Sequence, residues 1–167
     1  RIYIADAAED APSAFLIDDG TQPALSATGG RIAFHDTNGK SLGISGFTLD
    51  AGMDPSARTV RYARQDGDSR DSPPSWNSQG TRLVFANADE GGSRIFATAA
   101  DEAEERTLLL PGLSPAWSWT ANWIAYNGVD DGGNQPGLWV MRPDGSGRIR
   151  ITDNGTDLRP AWSPDST

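Results

Sequence analysis

The chain of 167 residues has no cysteine, one histidine and no apolar run near the ~20 residues a membrane-spanning helix needs. Without cysteine there is no disulfide framework, no thiolate metal site and no thiol nucleophile. The single histidine, His35, would need a positioned partner or nucleophile to act as a base, and none is spaced around it. It is expected at a loop edge near solvent. No G-x-S-x-G elbow, H-E-x-x-H helix or phosphate-binding glycine loop is present. Positive charge is scarce: 14 Lys and Arg stand against 23 Asp and Glu, a net charge of −9. Phosphate backbones are bound by clustered cations, so a nucleic-acid partner is excluded. The acidic balance fits a soluble secreted protein, a salt-adapted one, or a binder of basic partners or cations. Sustained helical periodicity is also missing.

What the chain does have is internal repetition. Four stretches align without gaps: P-A-L-S-A-T-G-G-R-I-A-F from Pro23, P-S-W-N-S-Q-G-T-R-L-V-F from Pro74, P-A-W-S-W-T-A-N-W-I-A-Y from Pro115, and P-A-W-S-P-D-S-T from Pro160. The anchor prolines recur at intervals of 51, 41 and 45 residues. Several short strands per period of about 40–45 residues mark a β-propeller blade. The expected fold is all-β: a β-propeller of four-stranded antiparallel blades, with about three full blades and a partial blade at each end. Residues 1–20 supply strands C and D of one blade. Residues 21–67, 68–112 and 113–155 are full blades, and 156–167 is strand A of the next. Such an array exposes blade faces and edges, so further blades from the same or another chain are expected to complete it.

Within each unit strand A holds the anchor, as Pro74 to Asn77, Pro115 to Ser118 and Pro160 to Ser163. Strand B is Arg31 to Phe34, Arg82 to Phe85 and Trp123 to Tyr126. Strand C is Ile44 to Leu49, Arg94 to Thr98 and Leu138 to Met141. Strand D is Thr59 to Arg64, Arg106 to Leu110 and Arg148 to Thr152. Asp144-Gly145 between two apolar runs is the strongest hairpin signal. The segment from Asp101 to Arg106 falls where the C–D turn belongs and reads as a polar loop. Trp76, Trp117 and Trp162 share one repeat position, and a large aromatic there fills the wedge between neighbouring blades. Phe34, Phe85 and Tyr126 on strand B, and Tyr3, Phe96 and Trp139 on strand C, take the same packing role.

The run P-A-W-S-P-D-S, with I-A-F or I-A-Y in other repeats and then L-W-V-M-R-P-D-G-S-G-R-I-R-I-T, resembles the repeat of TolB-like (WD40-like) β-propellers. The resemblance covers nearly the whole chain and is most specific from Pro115 to Asp165. Only the last repeat keeps the Pro164-Asp165 turn. The resemblance implies a bacterial extracytoplasmic propeller, periplasmic, secreted or at the cell surface. It carries a scaffold and not an activity. The propeller lyases of similar repeat use several histidines around a metal, which one histidine cannot supply.

The functional expectation is therefore a non-catalytic module that presents loops to a protein or peptide partner. The alternative is a propeller that gates or positions a peptidase-like catalytic domain lying outside this segment. A lectin-like or cell-surface structural module is the third reading. The D–A and B–C loops are expected at one mouth, carrying Asp36, Asp130-Asp131 and Asp157 among other carboxylates. No cofactor is expected, and no metal site is assigned. Ca²⁺ remains open because clustered oxygens suit it, although Asp36-Thr37-Asn38-Gly39 lacks the later acidic positions of a calcium loop. Arg70 beside Asp71, and Arg159 near Asp157, stand just before anchor prolines and suit a partner's carboxylate. Trp119 and Trp123 break the repeat pattern and are expected either to pack together or to offer an aromatic contact to a partner.

Overall fold

The computed structural model describes residues 2–4, 14–17, 20–36, 41–46, 60–64, 73–89, 91–102 and 105–166. Every element among them is a strand. Short apolar and aromatic runs cut by Gly, Pro and Asx turns satisfy their backbone groups by pairing with the next run along the chain. The first such pair joins β1 (Ile2–Ile4) to β2 (Ala14–Ile17), antiparallel.

Three four-stranded antiparallel sheets follow, each strand beside its sequence neighbour. The first holds β3 (Gly20–Leu25), β4 (Arg31–Asp36), β5 (Ser41–Gly46) and β6 (Val60–Arg64). The second holds β7 (Ser75–Trp76), β8 (Arg82–Asp89), β9 (Gly92–Ala99) and β10 (Arg106–Pro111). The third holds β11 (Leu113–Trp117), β12 (Ile124–Gly128), β13 (Gly137–Met141) and β14 (Ile149–Arg150).

Both faces of the middle sheet are buried, because its alternating side chains meet a neighbour on each side. Leu83 and Phe85 of β8 pack with Ala33 of β4 and with Trp76. Val84, between them, packs with Trp117, Ile124 and Tyr126 of the third sheet. Phe34, Phe85 and Tyr126 are all buried, as their repeat position requires. Trp139 is buried too, whereas Tyr3 lies exposed and its neighbour Ile2 takes the core position.

The repeated tryptophan binds one blade to the previous one. The Trp76 indole N–H donates to the Ala24 carbonyl at 2.9 Å, and the Trp162 indole donates to the Ala116 carbonyl at 2.9 Å. Between these, the Trp117 backbone N–H donates to Ser75 Oγ at 2.8 Å. Ala24 and Ala116 occupy the same repeat position, so the two indole bonds are copies of one contact.

The A–B turn is also copied. Ser26 Oγ, Asn77 Oδ1 and Ser118 Oγ accept the backbone N–H groups of Arg31, Arg82 and Trp123 at 3.1, 3.0 and 2.9 Å. All three capping side chains are buried. Asn77 Oδ1 accepts a second bond, from Thr81 N at 2.8 Å. Thr98 Oγ1 closes the C–D turn by donating to the Glu102 and Glu105 carbonyls at 3.2 and 2.9 Å.

Several boundaries differ from the sequence reading. Strand C of the first sheet begins at Ser41 rather than Ile44 and is described to Gly46; residues 47–49 of the expected strand lie outside the described residues. Strand D of the third is only Ile149–Arg150. Pro160 to Ser163 is not a strand, because a strand requires a ladder and this stretch has no ladder partner among the described residues. It is nevertheless docked, by the Trp162 indole and by Thr120, whose N–H donates to Ser166 Oγ at 2.9 Å. His35 is not at a solvent-facing loop edge. Strand β4 continues two residues beyond Phe34, and His35 is 0 % exposed inside it.

Two stability outcomes follow from this packing. Trp117→Ala should cost ~3–5 kcal/mol in a denaturant titration, as large-to-small core changes do, and Trp123→Ala about 1 kcal/mol. Equal losses would place Trp123 in the core. Asn77→Ala strands two backbone N–H groups and should cost about 1–3 kcal/mol, with Asn77→Asp retaining most of the turn's stability.

Candidate functional site

The strands that carry the anchor prolines converge at one end of the array. Each well-formed A strand is interrupted there by a bulge, between Thr21 and Ala24 in β3 and between Leu113 and Ala116 in β11. In both bulges the residue before the proline has a left-handed backbone, Gln22 at φ 50° and Ser114 at φ 49°; Arg159, before the last anchor and outside any strand, has φ 57°. None is glycine, and each such conformation costs about 1 kcal/mol or more. In the second repeat the position is Pro73, whose ring fixes φ at a negative value.

These four residues, one from each repeat, line a single groove of about 400 Å³. Its floor is built largely from Pro74, Pro115 and Pro160. Proline nitrogens carry no hydrogen, so the floor offers few backbone donors. Among the described residues Arg159 is the only ionisable side chain in the lining. It makes no ion pair or hydrogen bond among the described residues.

The loops around the groove meet as expected in the third repeat. Asn127, at the end of β12, donates from Nδ2 to the Asp157 carbonyl at 2.6 Å. The D–A loop is therefore held against β12 at this end, and its Gly155 lies beside Pro136 of the B–C loop. Asp157 is not in the groove lining itself. Asp130 Oδ1 is engaged in its own turn, accepting from Gly132 N and Asn134 N at 3.1 and 2.7 Å. Asp131 pairs with Arg148. No group of three His, Cys, Asp or Glu among the described residues is placed to hold a metal ion. Arg70 and Asp71 lie outside the described residues.

A second groove of about 320 Å³ runs along the same inner strands toward the A–B turns. It is lined by Leu25, Trp76, Trp117, Trp119 and Trp162 among others. Trp119 is 48 % exposed there. Trp123 points elsewhere and is half-buried, with the Arg142 guanidinium 5.3 Å from its ring centroid. The two tryptophans thus have different neighbours: Trp119 faces the open groove, while Trp123 is covered by a cation–π contact.

Sequence reasoning names Arg159 as a contact residue and passes over Gln22 and Ser114, which line the same groove. The signal was available, since all three stand immediately before an anchor proline. Their shared backbone conformation was not legible, because nothing in the residue types demands it.

An array of four-stranded antiparallel sheets joined through the inner strand of each is a β-propeller. The chain is TolB-like in repeat and in fold. No protein-family model matches it. It is 34 % identical over 86 residues to the Tol-Pal system protein TolB of Geobacter metallireducens, covering 51 % of this chain and 20 % of that protein. The chain therefore spans about a fifth of the length of that relative. Among solved structures, TolB from Acinetobacter baumannii matches with a TM-score of 0.67 at 17 % identity, over 98 % of this chain and 40 % of that one. A chain of a nidogen/laminin complex matches with a TM-score of 0.61 at 16 % identity, over 86 % and 52 %. The isopeptidase AtxE2 matches with a TM-score of 0.53 at 14 % identity, over 80 % and 30 %. At these identities the structural likenesses concern the fold alone.

One titration is built into the third sheet. Burial pushes the Tyr126 hydroxyl above its ordinary pKa of 10.0, and the nearby Arg148 guanidinium offsets this only in part. The folded state holds this proton more tightly than the unfolded chain does. Stability from Tyr126 is therefore fully present below pH 10 and declines as pH rises beyond it. Denaturant midpoints should fall above about pH 10 in the wild type and fall less in Tyr126→Phe.

Proposed function

We propose that this chain is part of a non-catalytic, extracytoplasmic propeller that binds a protein or peptide partner at the mouth where its inner strands converge. The observation that carries the reading is the groove before the anchor prolines. One residue from each repeat enters it, and the guanidinium of Arg159 stands there with no counter-ion among the described residues. Arg70 and Asp71 occupy the corresponding stretch before Pro74 in the sequence. Arg70, Asp71, Asp157 and Arg159 are the proposed contact set at this mouth, with Trp119 as an apolar contact farther along the inner strands and Trp123 beside it in sequence. The extracytoplasmic placement follows the likeness to TolB. Ca²⁺ at the acidic loops is a separate possibility that the same experiment addresses.

The likeness to an isopeptidase supports a second reading, in which the propeller gates or positions a catalytic domain elsewhere in the protein. A hydrolase domain with Ser, Asp and His encoded in the same gene would favour it.

The test is calorimetric titration of a panel of synthetic peptides, and separately of Ca²⁺, into wild type and Asp71→Ala/Asp157→Ala. At least one titrant should bind the wild type and bind the double variant about tenfold more weakly, a loss of about 1.4 kcal/mol. Unchanged affinity in the double variant would remove these carboxylates from the site.

A further inference from the structure

Strand A carries a left-handed residue before the anchor proline wherever it extends through that position, at the bulges of β3 and β11. In the second repeat Pro73, which cannot adopt a positive φ, stands there, and β7 begins only at Ser75. Where a fold does need positive φ, glycine supplies it without strain. The A–B turns do this with Gly29 at φ 73° and Gly80 at φ 66°. Before the prolines the chain instead places an amide, a hydroxyl and a guanidinium, and all three line the groove. Strain retained at one repeat position, with a side chain kept in place of glycine, is the pattern of a site that holds those side chains for a ligand.

We propose that the residue before each anchor proline reads the partner, and that Gln22, Ser114 and Arg159 together take a carboxylate-bearing segment of an extended peptide. The inference rests on the mouth being the partner site and names the residues that select the partner there. The prolines of the floor cannot donate, and side-chain donors in the described lining are those of Gln22, Ser114 and Arg159, with Ser75 beside them. Among the described residues the lining contains one cation and no carboxylate, so the ligand is taken to bring the negative charge to Arg159. The D–A loop at this end carries Asp157, whose charge disfavours a run of acids. A single carboxylate in an otherwise neutral peptide satisfies both conditions, and a polyanion does not.

The probes are acetyl-Gly-Glu-Gly-amide and acetyl-Gly-Gln-Gly-amide, titrated by NMR against wild type and against Gln22→Gly, Ser114→Gly and Arg159→Gly. The indole N–H signals report binding, and melting temperature is measured on every variant. The glutamate peptide should bind wild type at least about tenfold more tightly than the glutamine peptide, and each glycine variant should lose about tenfold. The variants should melt at the wild-type temperature or above it, because glycine relieves the left-handed backbone. Full binding by the glycine variants would overturn the reading role and leave the mouth as a binding site. A lowered melting temperature would mean the position is structural. Failure of both peptides to bind wild type would remove the mouth as a peptide site altogether, and stronger binding of polyglutamate than of the single carboxylate would overturn the ligand class.

Discussion

The contact on which the rest of the array depends is the tryptophan wedge between successive inner strands. A sheet with two apolar faces is unstable until both are covered, and here the cover is the next sheet. Buried apolar area sets how strongly two sheets attract but not how they are aligned, since it has no direction. The indole adds direction. Its ring fills the space between blades while its N–H donates to a carbonyl of the preceding A strand, from Trp76 to Ala24 and from Trp162 to Ala116. The second of these forms although Pro160 to Ser163 has no ladder partner among the described residues. Docking of a strand against its neighbouring blade is thus separable from pairing within its own blade.

The same alignment creates the mouth. Once the inner strands are held side by side, whatever precedes each anchor proline is brought to one place, although the anchors are 41 to 51 residues apart in sequence. Two adjacent stretches of one strand then answer to different demands. The position two residues after the proline is tryptophan in three repeats and leucine in one; Trp76 and Trp117 there are buried between sheets, whereas Leu25 is 50 % exposed. The position just before the proline is Gln22, Pro73, Ser114 and Arg159, chemically unlike one another and all at the same groove. Uniformity marks the scaffold, and variation at a fixed place marks the surface available for recognition.

The fold was legible because its causes are local and repeated. Prolines at strand starts, Gly turns and apolar runs of four to six residues specify strands one at a time, and the period joins them into blades. Reading failed where an element depended on its partner. His35 was assigned to a solvent-facing edge because the apolar run ends at Phe34, yet ladder pairing with Leu42 of β5 carries β4 past it and buries it. Trp119 and Trp123 look alike in sequence, being departures from the repeat. Only the position of Arg142 over one ring and an open groove beside the other separates them.

By itself the sequence determined that the chain is all-β, that its unit is a four-stranded blade, that aromatic residues at fixed places form its core, and that thiol and multi-histidine chemistry are absent from it. These follow from residue type, spacing and count, which need no knowledge of distant contacts. The tertiary structure alone decided which of the described residues share the mouth, and that Gln22 and Ser114 stand there with the Arg159 cation. Those facts arise from bulges and left-handed backbone set by inter-strand pairing, and pairing between segments remote in sequence leaves no mark on the identity of any one residue.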